Sequence, residues 1–94
     1  MKIIVEWDKR KEKGNRKKHK VSFEEAATVF HDPLSLTIAD PLHSEDEERF
    51  IIIGESIRRR LLIVVHTDEG NKIHIISART ATPHERRKHE AGDY

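Results

Sequence analysis

The sequence predicts an α+β fold, a single domain in which helices pack on a mainly antiparallel sheet. A short N-terminal segment alternates apolar and polar residues, and three β-rich runs follow one another in the second half, as in antiparallel sheets. Helix-capping sequences separate helical segments from these runs, so the predicted order is β-α-α-β-β-β-β-α. The 94 residues suit one domain over 1–94, with 92–94 as a tail.

The first half of the chain predicts one strand and two helices. Met1–Trp7 alternates in hydrophobicity and predicts a strand. Asp8 is a typical N-cap for a polar helix over Lys9–His19. A capping box follows, in which Ser22 caps the next helix and the Glu25 side chain reaches back. An apolar stripe at helical spacing continues this helix until a proline ends it.

The second half predicts four strands and a closing helix. The strands are Leu34–Ala39, Arg49–Ile53, Leu61–His66 and Lys72–Arg79, with a hairpin turn at Asp68–Asn71 and an acidic loop at Asp40–Asp46. Runs that are apolar on both sides suit central strands of a sheet that is covered on both faces. Helices would cover one face, and a partner protein could cover the other. Thr82, Pro83 and Glu85 form a second capping signature, and the helix they begin extends to Ala91.

Composition excludes several classes of protein. Lys and Arg total 18, Asp and Glu total 17, and mean hydropathy is -0.74, so the chain is neither histone-like nor an acidic tail. Cysteine is absent, which excludes a disulfide scaffold and a thiolate zinc site. The longest apolar runs are too short to cross a bilayer, and no signal peptide is visible. The expectation is a cytoplasmic protein without membrane association.

The nearly neutral sum hides segregated charge. Eight cations and one acid lie in Lys9–Lys20, whereas Asp40–Glu48 is acidic. Two further basic clusters lie at Arg58–Arg60 and Arg86–Lys88. A single cluster is most often a solvated surface, but several clusters gathered on one side would favour a polyanionic partner.

The motifs narrow the possible chemistry. The scattered glycines form no nucleotide-binding loop, and the seven histidines lack metal-site spacing, His66 and His74 being the best pair as possible cross-strand neighbours. Exposed or structural histidines are favoured over a metal site. Metal-free RNA cleavage needs instead a base, an acid and cations that stabilise the phosphorane. Side chains that could supply them include Lys18, His19, Glu48, Arg49, His66, Arg79, Glu85 and Arg86.

Three segments carry a family resemblance when they are taken together. They are E-W-D at 6–8, K-H-x-V-S-F-E-E-A at 18–26 and I-I-S-A-R at 75–79. With these segments the chain closely resembles the BrnT family of toxins from type II toxin–antitoxin systems. The resemblance implies a RelE-like fold and an endoribonuclease that needs neither metal nor another cofactor. It also implies a ribbon-helix-helix antitoxin that neutralises the toxin, in a complex that binds operator DNA.

The candidate site residues fall into two roles. The predicted catalytic residues are His19, Glu48, Arg49 and Arg79, and the predicted RNA- or phosphate-binding residues are Lys11, Lys18, Arg86 and Trp7. Structural alternatives stay open for several of them. The Trp7 ring suits a core anchor as well as a base-stacking platform, and Glu48 with Arg49 suits a cross-strand ion pair. Glu85 suits the capping box better than catalysis.

The chain departs from the family pattern at three positions. Lys20 replaces a common glycine, His74 replaces a frequent arginine, and His89 replaces a frequent tyrosine. The first change affects a turn, because lysine tolerates positive φ poorly. The other two remove possible RNA contacts. They motivate an alternative function: a catalytically weakened toxin homologue that binds antitoxin or nucleic acid.

Overall fold

A computed structural model describes residues 3–40 and 48–92. The elements are β1 (Ile4–Trp7), α1 (Lys9–His19), α2 (Phe23–Thr28) with a 3-10 turn at Val29–His31, β2 (Leu36–Ala39), β3 (Arg49–Glu55), β4 (Leu61–Glu69), β5 (Lys72–Thr80) and α3 (Pro83–Ala91). The predicted α+β class and order of elements are confirmed. Most of the predicted acidic loop and the last two residues of the predicted tail lie outside the described residues.

The five strands form one mixed sheet in the order β1-β5-β4-β3-β2. The prediction of a mainly antiparallel sheet is wrong, because β1 pairs with β5 in parallel, with Trp7 beside Ile75. The other neighbours are antiparallel. Hairpins impose antiparallel pairing on strands that follow each other, but the two helices separate β1 from the rest, so no turn fixes its direction.

The two faces of the sheet differ in their cover. On one face, Val21, Phe23, Ala26 and Val29 pack against side chains of the sheet; the cluster also contains Ile52, Leu62, Val64, Ile75 and Ala78. We call the opposite side the open face; its side chains include Glu6, Arg49, Thr67, His74 and Arg79. A small cluster of Ile53, Leu61 and Ile63, with Ala81, lies at the end of the open face that leads into α3.

Asn15 joins α1 to the edge of β5. Its side-chain Nδ2 donates to the carbonyl of Ala78 at 2.8 Å and to that of Val21 at 3.1 Å, and its Oδ1 accepts from the Ala78 N–H at 3.0 Å. The β1 pairing ends at Ile75, so the backbone of Ala78 has no strand beside it on this edge. The buried amide therefore continues the hydrogen bonding of the sheet where β1 stops.

The N-terminus of α2 is capped differently from the prediction. Ser22 Oγ accepts from the N–H of Glu25 at 3.1 Å, as predicted. The Glu25 carboxylate, however, binds Arg60 and accepts from Ser56 Oγ at 2.6 Å instead of reaching back. Glu12 of α1 accepts the N–H of Phe23 at 3.3 Å. A partner distant in sequence has displaced the local capping interaction.

Lys20 adopts a turn conformation that glycine favours. It ends α1 in the left-handed region, with φ 60° and ψ 29°. An L-residue adopts this conformation at a cost of about 1 kcal/mol. The Arg60 guanidinium donates to the Lys20 carbonyl at 3.1 Å, which helps to hold the turn.

The sequence analysis considered His66 and His74 as possible cross-strand neighbours and as the best candidate pair for a metal. They are not cross-strand neighbours in the structure. His66 lies opposite Ile75, and His74 lies opposite Thr67, because a bulge shifts the register after Val65. The two rings therefore lie on opposite faces of the sheet. His66 is buried, with its ring centroid 4.9 Å from that of Phe30.

Stability should fall in mild acid because of His66. Burial lowers the pKa of this ring, outweighing the raising effects of the Thr67 carbonyl and Asp68. As the pH falls, His66 therefore binds a proton in the unfolded chain at a higher pH than in the folded protein. Its contribution to the free energy of unfolding should be constant above about pH 6.5 and decrease below it. Urea denaturation between about pH 7.5 and 5 measures this dependence. His66→Leu should weaken it and the exposed control His84→Gln should keep it; equal slopes for both variants would contradict the assignment.

Candidate nucleic-acid interface

Arg79 lies on the open face, half-buried near the end of β5. Its two terminal nitrogens donate to the two carboxylate oxygens of Glu85 at 2.7 and 2.9 Å. The Arg79 guanidinium is the largest cause that lowers the pKa of Glu85 to about 2. This two-point geometry is the one in which arginine binds carboxylates and also phosphates in proteins.

Glu85 has a second structural role at the start of α3. Its carboxylate accepts the N–H of Thr82 at 2.9 Å, and Thr82 Oγ1 accepts the N–H of Glu85 at 3.1 Å. The predicted capping box is therefore present, with Pro83 in the first turn. No residue of α3 is buried, and the cap and the Arg79 pair are among the contacts that hold this helix in place.

The basic helix α1 borders the edge of β5 next to Arg79. Asn15 holds the backbone of Ala78, the residue that immediately precedes Arg79. Lys11 and Lys18 are exposed on this helix, and His19 is half-buried at its last residue. Four predicted site residues therefore lie on two adjoining elements: Lys11, Lys18 and His19 on α1, and Arg79 on β5. The Arg79 side chain is on the open face.

Glu48 and Arg49 lie at the other end of the open face. Glu48 is exposed immediately before β3, and Arg49 faces Thr67 of β4 across the antiparallel pair. Arg79 faces Ile63 of β4. Four residues of β4 thus separate the two arginines, which corresponds to about 13 Å along the strands. The structure does not bring Glu48 and Arg49 together with Arg79, and His19 lies at the end of α1, which borders the edge of β5.

A polar row crosses four strands at the Arg49 end of the open face. Glu6, His74, Thr67 and Arg49 are successive register partners. The Glu6 carboxylate lies 3.8 Å from Lys72 Nζ and 3.9 Å from His74 Nδ1. Glu6, His74 and Lys72 are 39 to 48% exposed at their side chains, so solvent and ligands can reach them.

Sequence reasoning missed Glu6, Lys72 and His74 as a group. Alternation in the first strand does assign Glu6 to the face opposite Val5 and Trp7. Its neighbours, however, follow from the parallel pairing of β1 with β5, and no local signal in the sequence encodes that pairing.

Two other predicted RNA-binding residues have structural contacts. The half-buried Trp7 ring meets Phe23 edge to face, with the centroids 6.2 Å apart, and it packs against the main core. Arg86 is exposed on α3 and lies 4.0 Å from the Glu90 carboxylate. It lines a cleft of about 480 Å³ that also contains Asp32 and Glu55. RNA contact by Trp7 and Arg86 stays a prediction.

The described residues lack two other kinds of site. No helix within residues 3–40 and 48–92 is long and apolar enough to cross a membrane. In the same ranges, no three His, Asp or Glu side chains are arranged so that they could hold a metal ion. The chemistry that these side chains offer is proton transfer by His and carboxylate groups together with charge stabilisation by Arg and Lys.

Comparison with known proteins identifies the family. Residues 7–85 match the model of a family described as the ribonuclease toxin BrnT of type II toxin–antitoxin systems. The crystal structure of the Brucella abortus ribonuclease toxin BrnT is similar to this fold, with a TM-score of 0.60 and 26% identity. The similarity covers 87% of this chain and 97% of that one. The chain has no significant match among curated proteins. It belongs to the BrnT family of ribonuclease toxins of type II toxin–antitoxin systems.

Proposed function

We propose that this toxin is a metal-independent endoribonuclease that cleaves RNA on the open face and thereby inhibits translation and growth. The observation that carries the proposal is the collection of Arg79, Arg49, Lys72, His74 and Glu6 on one side of a single sheet. These side chains include cations for a phosphodiester and groups that can transfer protons near neutral pH.

Arg79 is the proposed phosphate-binding cation. Its bidentate pairing with Glu85 supports this role, because a phosphate presents two oxygens with similar spacing. A bound RNA phosphate would replace the carboxylate, and the basic residues of α1, including Lys11 and Lys18, would neutralise neighbouring phosphates. Glu48, Arg49, His19, Trp7 and Arg86 are proposed to contact RNA in the same complex.

The activity is tested with the purified, antitoxin-free chain and a defined RNA, in the presence and absence of EDTA. We expect cleavage at equal rates in both conditions, and weaker RNA binding as salt rises, because bound phosphates release counterions. Intact RNA with folded protein would refute the enzyme assignment. Cleavage that occurs without EDTA but is lost in its presence would refute metal independence.

Arg79→Ala should reduce the rate of cleavage by about a hundredfold, the scale for removing a group that stabilises transition-state charge. Arg79→Lys keeps the charge but loses the two-point geometry, so it should recover only part of the rate. Arg87→Ala removes an exposed arginine of α3 and serves as the control for net charge. Wild-type rates in Arg79→Ala would remove Arg79 from the site.

The finer partner assignment is also a proposal. We infer that the antitoxin is a ribbon-helix-helix protein encoded beside the toxin gene, and that the complex binds operator DNA in the cytoplasm. Co-expression with the adjacent small reading frame should yield a complex that retards a DNA fragment carrying their promoter. Copurification without a DNA shift would retain the antitoxin but reject operator binding.

One observation favours an alternative function. The phosphate-binding geometry of Arg79 is already occupied by Glu85, as expected for a weakened toxin homologue that only binds antitoxin or nucleic acid. That alternative predicts antitoxin binding without RNA cleavage. The cleavage assay above therefore distinguishes the two functions.

A further inference from the structure

We infer that His74 is the general base of this toxin and that Glu6 positions it. The inference rests on the proposed ribonuclease activity and names the group that begins the reaction. His74 lies on the open face of β5, beside Glu6 of β1 and opposite Thr67 of β4. In the sequence analysis, the histidine at position 74 was interpreted as the loss of a possible RNA-contacting arginine.

The surroundings of His74 suit proton transfer. The Glu6 carboxylate lies 3.9 Å from the Nδ1 atom of His74, which is longer than a hydrogen bond. Catalytic hydrogen bonds are often long before substrate binds, and closing this gap would orient Nδ1 towards β1 and leave Nε2 for a substrate. The side chain is 39% exposed, in contrast to buried His66. A base must reach its proton, and His74 combines access with a carboxylate that orients it.

The charged groups around His74 come from four strands. Glu6 belongs to β1, Lys72 to β5, Glu69 to β4 and Arg49 to β3. A cleft of about 170 Å³ lies here, lined by Glu6, Thr67, Glu69, Lys72 and His74. The Lys72 ammonium, 3.8 Å from Glu6, and the Arg49 guanidinium are the cations on this row that can face the phosphorane charge.

The proposed step conserves atoms and consumes no water. His74 Nε2 removes the proton of a ribose 2′-hydroxyl, and the 2′-oxygen forms a bond to the adjacent phosphorus. The bond between phosphorus and the 5′-oxygen breaks, and that oxygen takes a proton from the solvent. The products are a 2′,3′-cyclic phosphate and a 5′-hydroxyl, and the imidazolium then returns its proton to water.

The decisive variant is His74→Gln, which retains a polar side chain of similar reach but cannot act as a base. We expect its cleavage rate to fall by about 10²- to 10⁴-fold. Its affinity for the same RNA with a 2′-deoxy nucleotide at the cleavage site should stay within about threefold, because that analogue needs binding but no proton transfer. The acidic limb of the pH–rate profile should disappear.

Matched variants separate this role from charge and structure. His84→Gln removes an exposed histidine of α3 and should leave rate and pH profile unchanged. His74→Arg restores a cation but no base, so it should bind RNA without recovering the rate. Glu6→Gln should lower kcat while KM stays constant, as expected for a positioning residue.

The outcomes also separate this inference from the proposed function. Cleavage by the wild type together with equal cleavage by His74→Gln would overturn the role of His74 and leave the ribonuclease assignment intact. A faster His74→Arg variant would overturn it too, since it would make position 74 a phosphate contact. Absence of cleavage by the wild type would refute the proposed function itself.

Discussion

Arg60→Met is expected to lower the free energy of unfolding by about 3 kcal/mol, near the lower end of the range for breaking a buried ion pair. Among the residues that the structure describes, the substitution leaves the Glu25 carboxylate, which is 4% exposed, with only Ser56 as a hydrogen-bonding side chain. It also removes the donor to the Lys20 carbonyl, and so a support of the turn between α1 and α2.

Urea denaturation measures this loss as a lower midpoint with an unchanged slope. Arg59→Met is the matched control, because Arg59 is the exposed arginine immediately before Arg60. The Arg60 hydrogen bond is the largest cause that lowers the pKa of Glu25. Stability from the pair is therefore present above the unfolded-state pKa of 4.5 and is lost as the pH falls through the lower, folded-state value. The difference between wild type and variant should shrink in acid; a constant difference would contradict the ion pair as its source.

Asn15→Ala should cost about 3 kcal/mol, because it leaves the N–H and C=O of Ala78 and the carbonyl of Val21 without their side-chain partner. Each buried group left unsatisfied costs about 1–3 kcal/mol, and water entering the gap recovers part of the sum. The loss should be concentrated where α1 meets β5, next to Arg79.

Hydrogen exchange tests the location of this effect. In Asn15→Ala, amides of α1 and of β5 near Ala78 should exchange faster than those of the central strand β4. Lys17→Ala changes an exposed residue of the same helix and serves as the control. Uniform acceleration across the whole sheet would show that the amide stabilises the fold globally and does not specifically anchor α1.

The elements were predictable where their signals are local. Asp8 and Thr82 cap the helices that they were predicted to cap, and α1 has its predicted limits, Lys9–His19. The predicted strand at Leu34–Ala39 begins later, at Leu36, because Asp32 accepts the N–H of Leu34 in a turn. Local sequence encodes caps and alternation, and a local side-chain turn sets where β2 begins.

Long-range pairing explains what the sequence left undetermined. Glu25 was predicted to cap its own helix, but its strongest partner, Arg60, lies 35 residues away. The Glu6–His74 neighbourhood depends on the parallel join of β1 and β5. Arg79 could be proposed from its position between apolar residues and a helix cap, but its bidentate contact with Glu85 required the folded chain.

The parallel join of β1 to β5 also bears on the order of events during synthesis. Ile4 and Lys72 are 68 positions apart in the sequence, and such non-local contacts form slowly and late. Until β5 has been made, β1 lacks its neighbour in the sheet and Asn15 lacks the Ala78 backbone that anchors α1. The open face with Glu6, His74 and Arg79 is therefore assembled only after β5 has been made. A toxin built in this way has no complete open face until β5 has been translated.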